Sequence, residues 1–233
     1  MKRILLPALF MMGTLVGCTG SDGSSSDPTP STTPSTRSES AAQACNGLLG
    51  ASGGSSLEEL LKADRFIDNS GTLQMESAQQ TAKALSRESS PSSRGTNHYM
   101  CAIQSSDGKF GNTLLVSAQW YHLKSGDLDW SSDKQSTVFD LANSGQQTNV
   151  TPFANTTDAS ALLHFRCPVG AGKEDSTVAS LTAYTELVPR SDQQNRRAQL
   201  TRIANAAAVE LAKEMGCLDV SKLPTSLGEL TAA

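Results

Sequence analysis

The chain has 233 residues, 37% of them apolar, 5% aromatic and 18% charged, with five cysteines and a formal net charge of −4. That length holds one ordinary domain plus tails and is too short for two large lobes. The acidic balance disfavours a nucleic-acid partner, which wants a basic surface, and so low an apolar fraction predicts that part of the chain never folds.

Lys2 and Arg3 form a positive start, and Ile4 to Val16 follow as an apolar run of signal-peptide length, too short to span a bilayer stably. The run closes on Leu15-Val16-Gly17-Cys18, which resembles the bacterial lipobox at all four positions. The resemblance implies that residues 1–17 are a lipoprotein signal peptide, cleaved before Cys18, and that the Cys18 sulfur carries a diacylglyceryl group. Two acyl chains anchor a protein stably where one is marginal. The expected location is therefore the extracellular face of the cell membrane, with the membrane itself a partner through Cys18. Removing Lys2 and Arg3 takes the net charge from −4 to −6.

Residues 18–40 read as the lipidated cysteine and a linker. Of the 22 residues from Thr19 to Ser40, thirteen are Ser or Thr and three are Pro, with no apolar side chain larger than proline. Nothing there offsets the entropy of ordering a chain, so a disordered tether is expected, reaching roughly 25 Å as a random coil.

Residues 41–233 carry the folding signals and read as one extracellular domain. Gly50-Ala51-Ser52-Gly53-Gly54 matches the G-x-S-x-G nucleophile elbow, which needs a buried strand before it. Only Leu48 and Leu49 precede it, so it reads as a turn leading into a helix. Ser55 and Ser56 followed by Glu58 and Glu59 make overlapping capping boxes, with Leu57, Leu60 and Leu61 at helical spacing behind them. A second, polar helix is expected from about Leu73 to Arg87. Strand alternation follows: His98–Gln104 places Tyr99, Cys101 and Ile103 on one face, and Thr113–Leu123 does the same for Leu114, Val116, Ala118 and Trp120. Asp127 to Asp133 spaces oxygen ligands as calcium loops do. It lacks the glycine at the sixth position, and Val138 stands where a bidentate Glu is required. It reads as an acidic loop with Trp130 at its tip, a candidate contact anchor.

Val138–Leu141 suggests an edge strand. Ala161–Cys167 and Thr177–Leu187 form a further pair of strands, and the best helix runs from about Asp192 to Gly216. There Ser191 and Gln194 make a capping box, and Leu200, Ile203, Ala207, Leu211 and Met215 form a core-facing stripe. Arg190, Arg196, Arg197 and Arg202 around its start read as a solvated helix face. The expected fold is α+β: an antiparallel sheet built from two β-hairpins, with helices on one face and two disulfides.

With Cys18 taken by lipid, Cys45, Cys101, Cys167 and Cys217 remain, an even number in an exported domain. Three pairings are open, and the expected one is Cys45–Cys101 with Cys167–Cys217, joining each hairpin to its nearer helical segment. The repeated H-x-x-C at His98–Cys101 and His164–Cys167 is a weak metal candidate. On a regular strand residues three apart face opposite sides, so each His should point away from its Cys. No metal and no cofactor are expected.

Cys45-Asn46-Gly47-Leu48-Leu49, the Ala63-Asp64-Arg65-Phe66 stretch, Phe165-Arg166-Cys167, the lipobox and the Ser/Thr/Pro leash together resemble uncharacterised small secreted lipoproteins of actinobacteria. That family implies an address and supplies no activity. The leading functional expectation is a non-enzymatic, surface-anchored binding or accessory module whose partner is an envelope protein or polymer. The alternative is a cell-envelope hydrolase using Ser52 or a carboxylate.

Overall fold

The computed structural model describes residues 38–88, 95–107, 113–122, 135–141, 152–168, 177–185 and 193–230. Cys18, most of the tether, the Asp127–Asp133 loop with Trp130, Arg190 and Ser191 lie outside them. The strands are β1 (Glu39–Ser40), β2 (Arg65–Asp68), β3 (His98–Ser105), β4 (Thr113–His122), β5 (Thr137–Asp140), β6 (Phe153–Thr156), β7 (Ser160–Phe165) and β8 (Thr177–Thr185). They form one sheet in the order β1-β2-β3-β4-β8-β7-β6-β5, antiparallel throughout. Among the described residues four α-helices accompany it, α1 (Gly50–Leu61), α2 (Ala78–Arg87), α3 (Gln193–Glu214) and the short α4 (Leu218–Ser221), with a 3-10 turn at Ala44–Gly47.

The α+β class, the antiparallel sheet and both disulfides match the expectation. Cys45 pairs with Cys101 and Cys167 with Cys217, across 56 and 50 residues of sequence. Strand β5 sits at the sheet edge, where its short apolar run suggested. Strands β1, β2 and β6 carry too little alternation to announce themselves, and pairing with longer neighbours makes them strands. The first of these draws Glu39 and Ser40 out of the expected linker. They pair with Phe66 and Arg65, and Arg65 Nη2 donates to the Ser38 carbonyl at 2.9 Å. An edge strand offers a row of free backbone groups that even a polar segment can take up.

The core lies on one face of the sheet. Leu114, Val116, Ala118 and Trp120 of β4, Ala179, Leu181 and Ala183 of β8, and Ala161, Leu163 and Phe165 of β7 are all buried there. Helix α3 packs over them through Leu200, Ile203, Ala207 and Leu211, all fully buried, as its stripe requires. Gly216, at φ +71°, ends the helical run in the left-handed conformation that glycine accepts most readily.

Helix α1 starts at Gly50, five residues before the Ser55 capping signal, so both serines and both glutamates sit inside the helix. Packing decides this start. A Cβ on Gly53 would lie 2.8 Å from the Ala206 Cβ of α3, and one on Gly54 would lie 3.0 Å from the Ala42 backbone nitrogen. These glycines let α1 approach α3 and the preceding turn closely enough to pack. Glu59 then accepts hydrogen bonds from Asn195 (2.7 Å) and Gln199 (2.6 Å) on α3.

Helix α2 begins at Ala78 rather than near Leu73. Ser77 is its N-cap, with a complete capping box to Gln80. The preceding residues run alongside the sheet instead, Met75 bridging to Tyr99 and the Glu76 N–H donating to the Tyr99 carbonyl at 2.8 Å.

Candidate functional site

The register of β3 against β4 contains an irregularity. His98 pairs with Ala118 and Tyr99 with Ser117, but Cys101 pairs with Val116, which leaves Met100 as the extra residue of a β-bulge. The bulge reverses the side-chain parity within H-x-x-C. His98 and Cys101 therefore lie on the same, helix-covered face, and the expectation that His98 points away from Cys101 is wrong. No local sequence signal marks the bulge.

The bulge delivers His98 beneath α2, where it is 8% exposed. Its Nδ1 lies 3.0 Å from Oε2 and 3.1 Å from Oε1 of Glu76, and its Nε2 lies 2.8 Å from Oε1 of Glu88. Glu76 immediately precedes the N-cap of α2 and Glu88 is its C-cap, so one imidazole ties both ends of the helix to the sheet. Thr81 Oγ1 donates to Glu76 Oε2 at 3.2 Å, which suits an ionised carboxylate. Burial lowers the pKa of His98, but the hydrogen bonds to Glu88 and Glu76 and their negative charges outweigh it. The ring ends above its ordinary value of 6.5.

Beside this cluster lies a cleft of about 310 Å³. Met100, placed there by the bulge, lines it with Leu48 and Cys45; Ser77, Ala78 and Gln79 at the start of α2 form one wall; Glu210 and Glu214 of α3 stand in another. The turn carrying Cys45 is strained. Cys45 (φ 56°, ψ 39°) and Asn46 (φ 56°, ψ 34°) are both left-handed, and Gly47 follows at φ +77°. Asparagine tolerates this conformation, whereas for cysteine it costs on the order of 1–2 kcal/mol. The bond from Cys45 to Cys101 holds the turn against the sheet.

His164 lies on the other face of the sheet, fully buried, with the Tyr121 ring centroid at 5.3 Å and that of Phe153 at 5.1 Å. The two H-x-x-C histidines are thus separated by the sheet. Among the described residues no group of three or more His, Cys, Asp or Glu side chains is disposed to hold a metal. In the His98 cluster the two carboxylates address different nitrogens of a single ring.

Ser52 occupies the exposed first turn of α1, not a strand-to-helix elbow. Arg190 lies outside the described residues, and the other three arginines do not form a freely solvated face. Arg197 donates to Asp158 (2.8 Å), the Thr137 hydroxyl (2.8 Å) and the Gln135 carbonyl (2.9 Å), tying α3 to β5. Arg202 donates to the Gly228 carbonyl at 3.0 Å, and Arg196 is only 9% exposed. Burial pulls the Arg196 guanidinium below its ordinary range, partly opposed by Asp158.

Sequence reasoning missed Glu76 and Glu88 altogether. The available signal was a carboxylate on each side of a helix whose cap was legible, but nothing joined them to His98 without the bulge. No helix among the described residues is long and apolar enough to cross a membrane. Neither a protein-family model, nor a curated protein, nor a solved structure matches the chain.

Proposed function

We propose that this protein is a lipoprotein held on the extracellular face of the membrane through Cys18, and that its domain is a non-enzymatic binding or accessory module. The observation that carries the anchor is Leu15-Val16-Gly17-Cys18 behind a charged start and a short apolar run. Two disulfides suit an oxidising exterior. In this reading the two hairpins, β3–β4 and β7–β8, are the platform of the domain, with the helices on its one face. The leash from Thr19 presents that domain to an envelope protein or polymer.

The cleft at Met100 is the ligand seat. It is concave, bottomed by apolar groups and rimmed by polar ones, as binding sites are. Trp130, in the Asp127–Asp133 stretch outside the described residues, is the second contact anchor of this reading.

Replacing Cys18 by Ser tests the anchor. The variant is expected in the medium or as an uncleaved precursor, and unchanged membrane retention refutes the lipid attachment. For the seat, envelope fractions are titrated into protein carrying labelled methionine methyls. A shift of the Met100 methyl that is lost in Ala78→Trp supports it; saturable binding that leaves Met100 and Ala78 unmoved refutes it. Hydrolysis that is abolished by Ser52→Ala would replace this reading with the enzymatic one.

A further inference from the structure

We propose that His98 is a pH-operated latch: as the imidazolium it holds both ends of α2 against the sheet, and on losing its proton it releases that helix and one wall of the cleft. The stereochemistry demands the charged form. Nδ1 faces the Glu76 carboxylate at 3.0 Å and Nε2 faces the Glu88 carboxylate at 2.8 Å. A carboxylate can only accept, so both ring nitrogens must donate, and only the imidazolium carries two N–H groups. A neutral ring in either tautomer turns a lone pair toward one carboxylate, exchanging a charge-assisted bond for repulsion in a partly buried site.

The groups around the ring leave the two glutamates in control. On α2, Lys83 and Arg87 are exposed. On β4 the ladder partner Ala118 and, two residues on, Trp120 share the face of the ring, and neither titrates. On β3 itself, Tyr99 points to the opposite face. Among the described residues, no other charged group is recorded against the imidazole.

Release of the latch has a defined target. Glu76 adjoins Ser77, Ala78 and Gln79, the α2 wall of the cleft. The helix is otherwise held by Ala82 and Leu85 in the core and by Trp120 Nε1–H donating to the Leu85 carbonyl at 2.7 Å. Because the folded pKa lies above 6.5, the stabilisation is fully present below 6.5 and is lost as pH rises through the folded value. Each unit between the two values changes the ratio of latched to released α2 by about tenfold. The latch regulates the cleft assigned above as ligand seat and rests on that reading for its consequence, but not for its existence.

The test needs no ligand. Imidazole Cε1–H resonances give the pKa of His98 directly, and hydrogen-exchange protection of the Thr81–Glu88 amides, corrected for intrinsic rates, gives the state of α2. Both are followed from about pH 5.5 to about pH 8.5. The expected result is a His98 pKa above 6.5 and α2 protection that falls in step with its titration, while α3 protection stays flat. Glu88→Gln supplies an amide that can donate to the neutral ring, so it should keep α2 protected at high pH. That variant does not depend on surviving the loss of the imidazole. Titration of His98 at or below 6.5 overturns the latch, as does α2 protection that ignores the titration or a Glu88→Gln protein that keeps the full pH response. A pH-blind α2 leaves the cleft reading intact. An unmoved Met100 under ligand leaves the latch intact.

Discussion

Adding one methyl group at Gly53 tests whether the G-x-S-x-G sequence is there for packing. The new Cβ would stand 2.8 Å from the Cβ of Ala206 and 3.0 Å from that of Leu49, where carbon atoms normally sit about 3.5–4.0 Å apart. Ala206 has no rotamer through which to escape, so the helices themselves must separate by several tenths of an ångström. Overpacking of this kind costs about 1–3 kcal/mol, and the rigidity of both partners argues for the upper half of that range. Helix propensity works in the other direction, since alanine is better than glycine in a helix interior by about 1 kcal/mol. The expected net effect of Gly53→Ala is a destabilisation of about 1–2 kcal/mol.

The sign is therefore diagnostic, because without the close approach the same substitution should stabilise. Urea unfolding followed by far-ultraviolet circular dichroism, with both disulfides intact, gives the value. Ala206→Gly removes the opposing methyl, so the double-mutant cycle should show a favourable coupling of at least about 1 kcal/mol. Ser52→Ala, one residue away on the exposed side, should stay within about 0.5 kcal/mol of the parent. A Gly53→Ala protein more stable than its parent, or an absence of coupling to Ala206, would refute the packing explanation.

Four further outcomes follow from particular contacts. Cys45 lines the open cleft and sits in a strained turn, whereas Cys167 and Cys217 are buried. Graded dithiothreitol with alkylation and peptide mapping should therefore label Cys45 and Cys101 before the other pair; the reverse order contradicts the assignment. Permanent loss of either bridge, whose loops span 56 and 50 residues, should cost on the order of 4 kcal/mol in thermal or urea denaturation. Arg197→Leu removes three hydrogen bonds, but Asp158 retains water at 35% exposure. A loss of about 1–2 kcal/mol is expected, with exchange accelerated first at Thr137–Asp140. Trp120→Phe strips the indole donor from the Leu85 carbonyl and leaves a void. It should cost about 1–3 kcal/mol and loosen α2 at every pH, unlike the graded response of the latch.

The linear order of residues is enough for the faces that periodicity names. The period-2 runs around Leu114–Trp120 and Leu163–Phe165 and the 3.6-residue stripe of Leu200–Leu211 each name a face that must be buried, and that suffices for an antiparallel sheet under a long helix. An even count of cysteines beyond Cys18 suggests two bridges, and joining each hairpin to its nearer helical segment picks, out of three pairings, the one that the structure shows. Ser55 and Glu58 satisfy a capping rule, yet α1 begins at Gly50, because a close helix–helix approach overrides that rule. Strand β1 reads as linker in the sequence because its pairing partner, not its composition, makes it a strand.

The His98 site depended on tertiary structure entirely. One extra residue at Met100 inverts the face of everything before it, and a bulge is a property of two strands held in register. Only that inversion turns an outward histidine into one buried between Glu76 and Glu88, which lie 22 and 10 residues away in sequence. A carboxylate before a helix and another after it mean nothing until the helix is laid across the strand that carries their common partner.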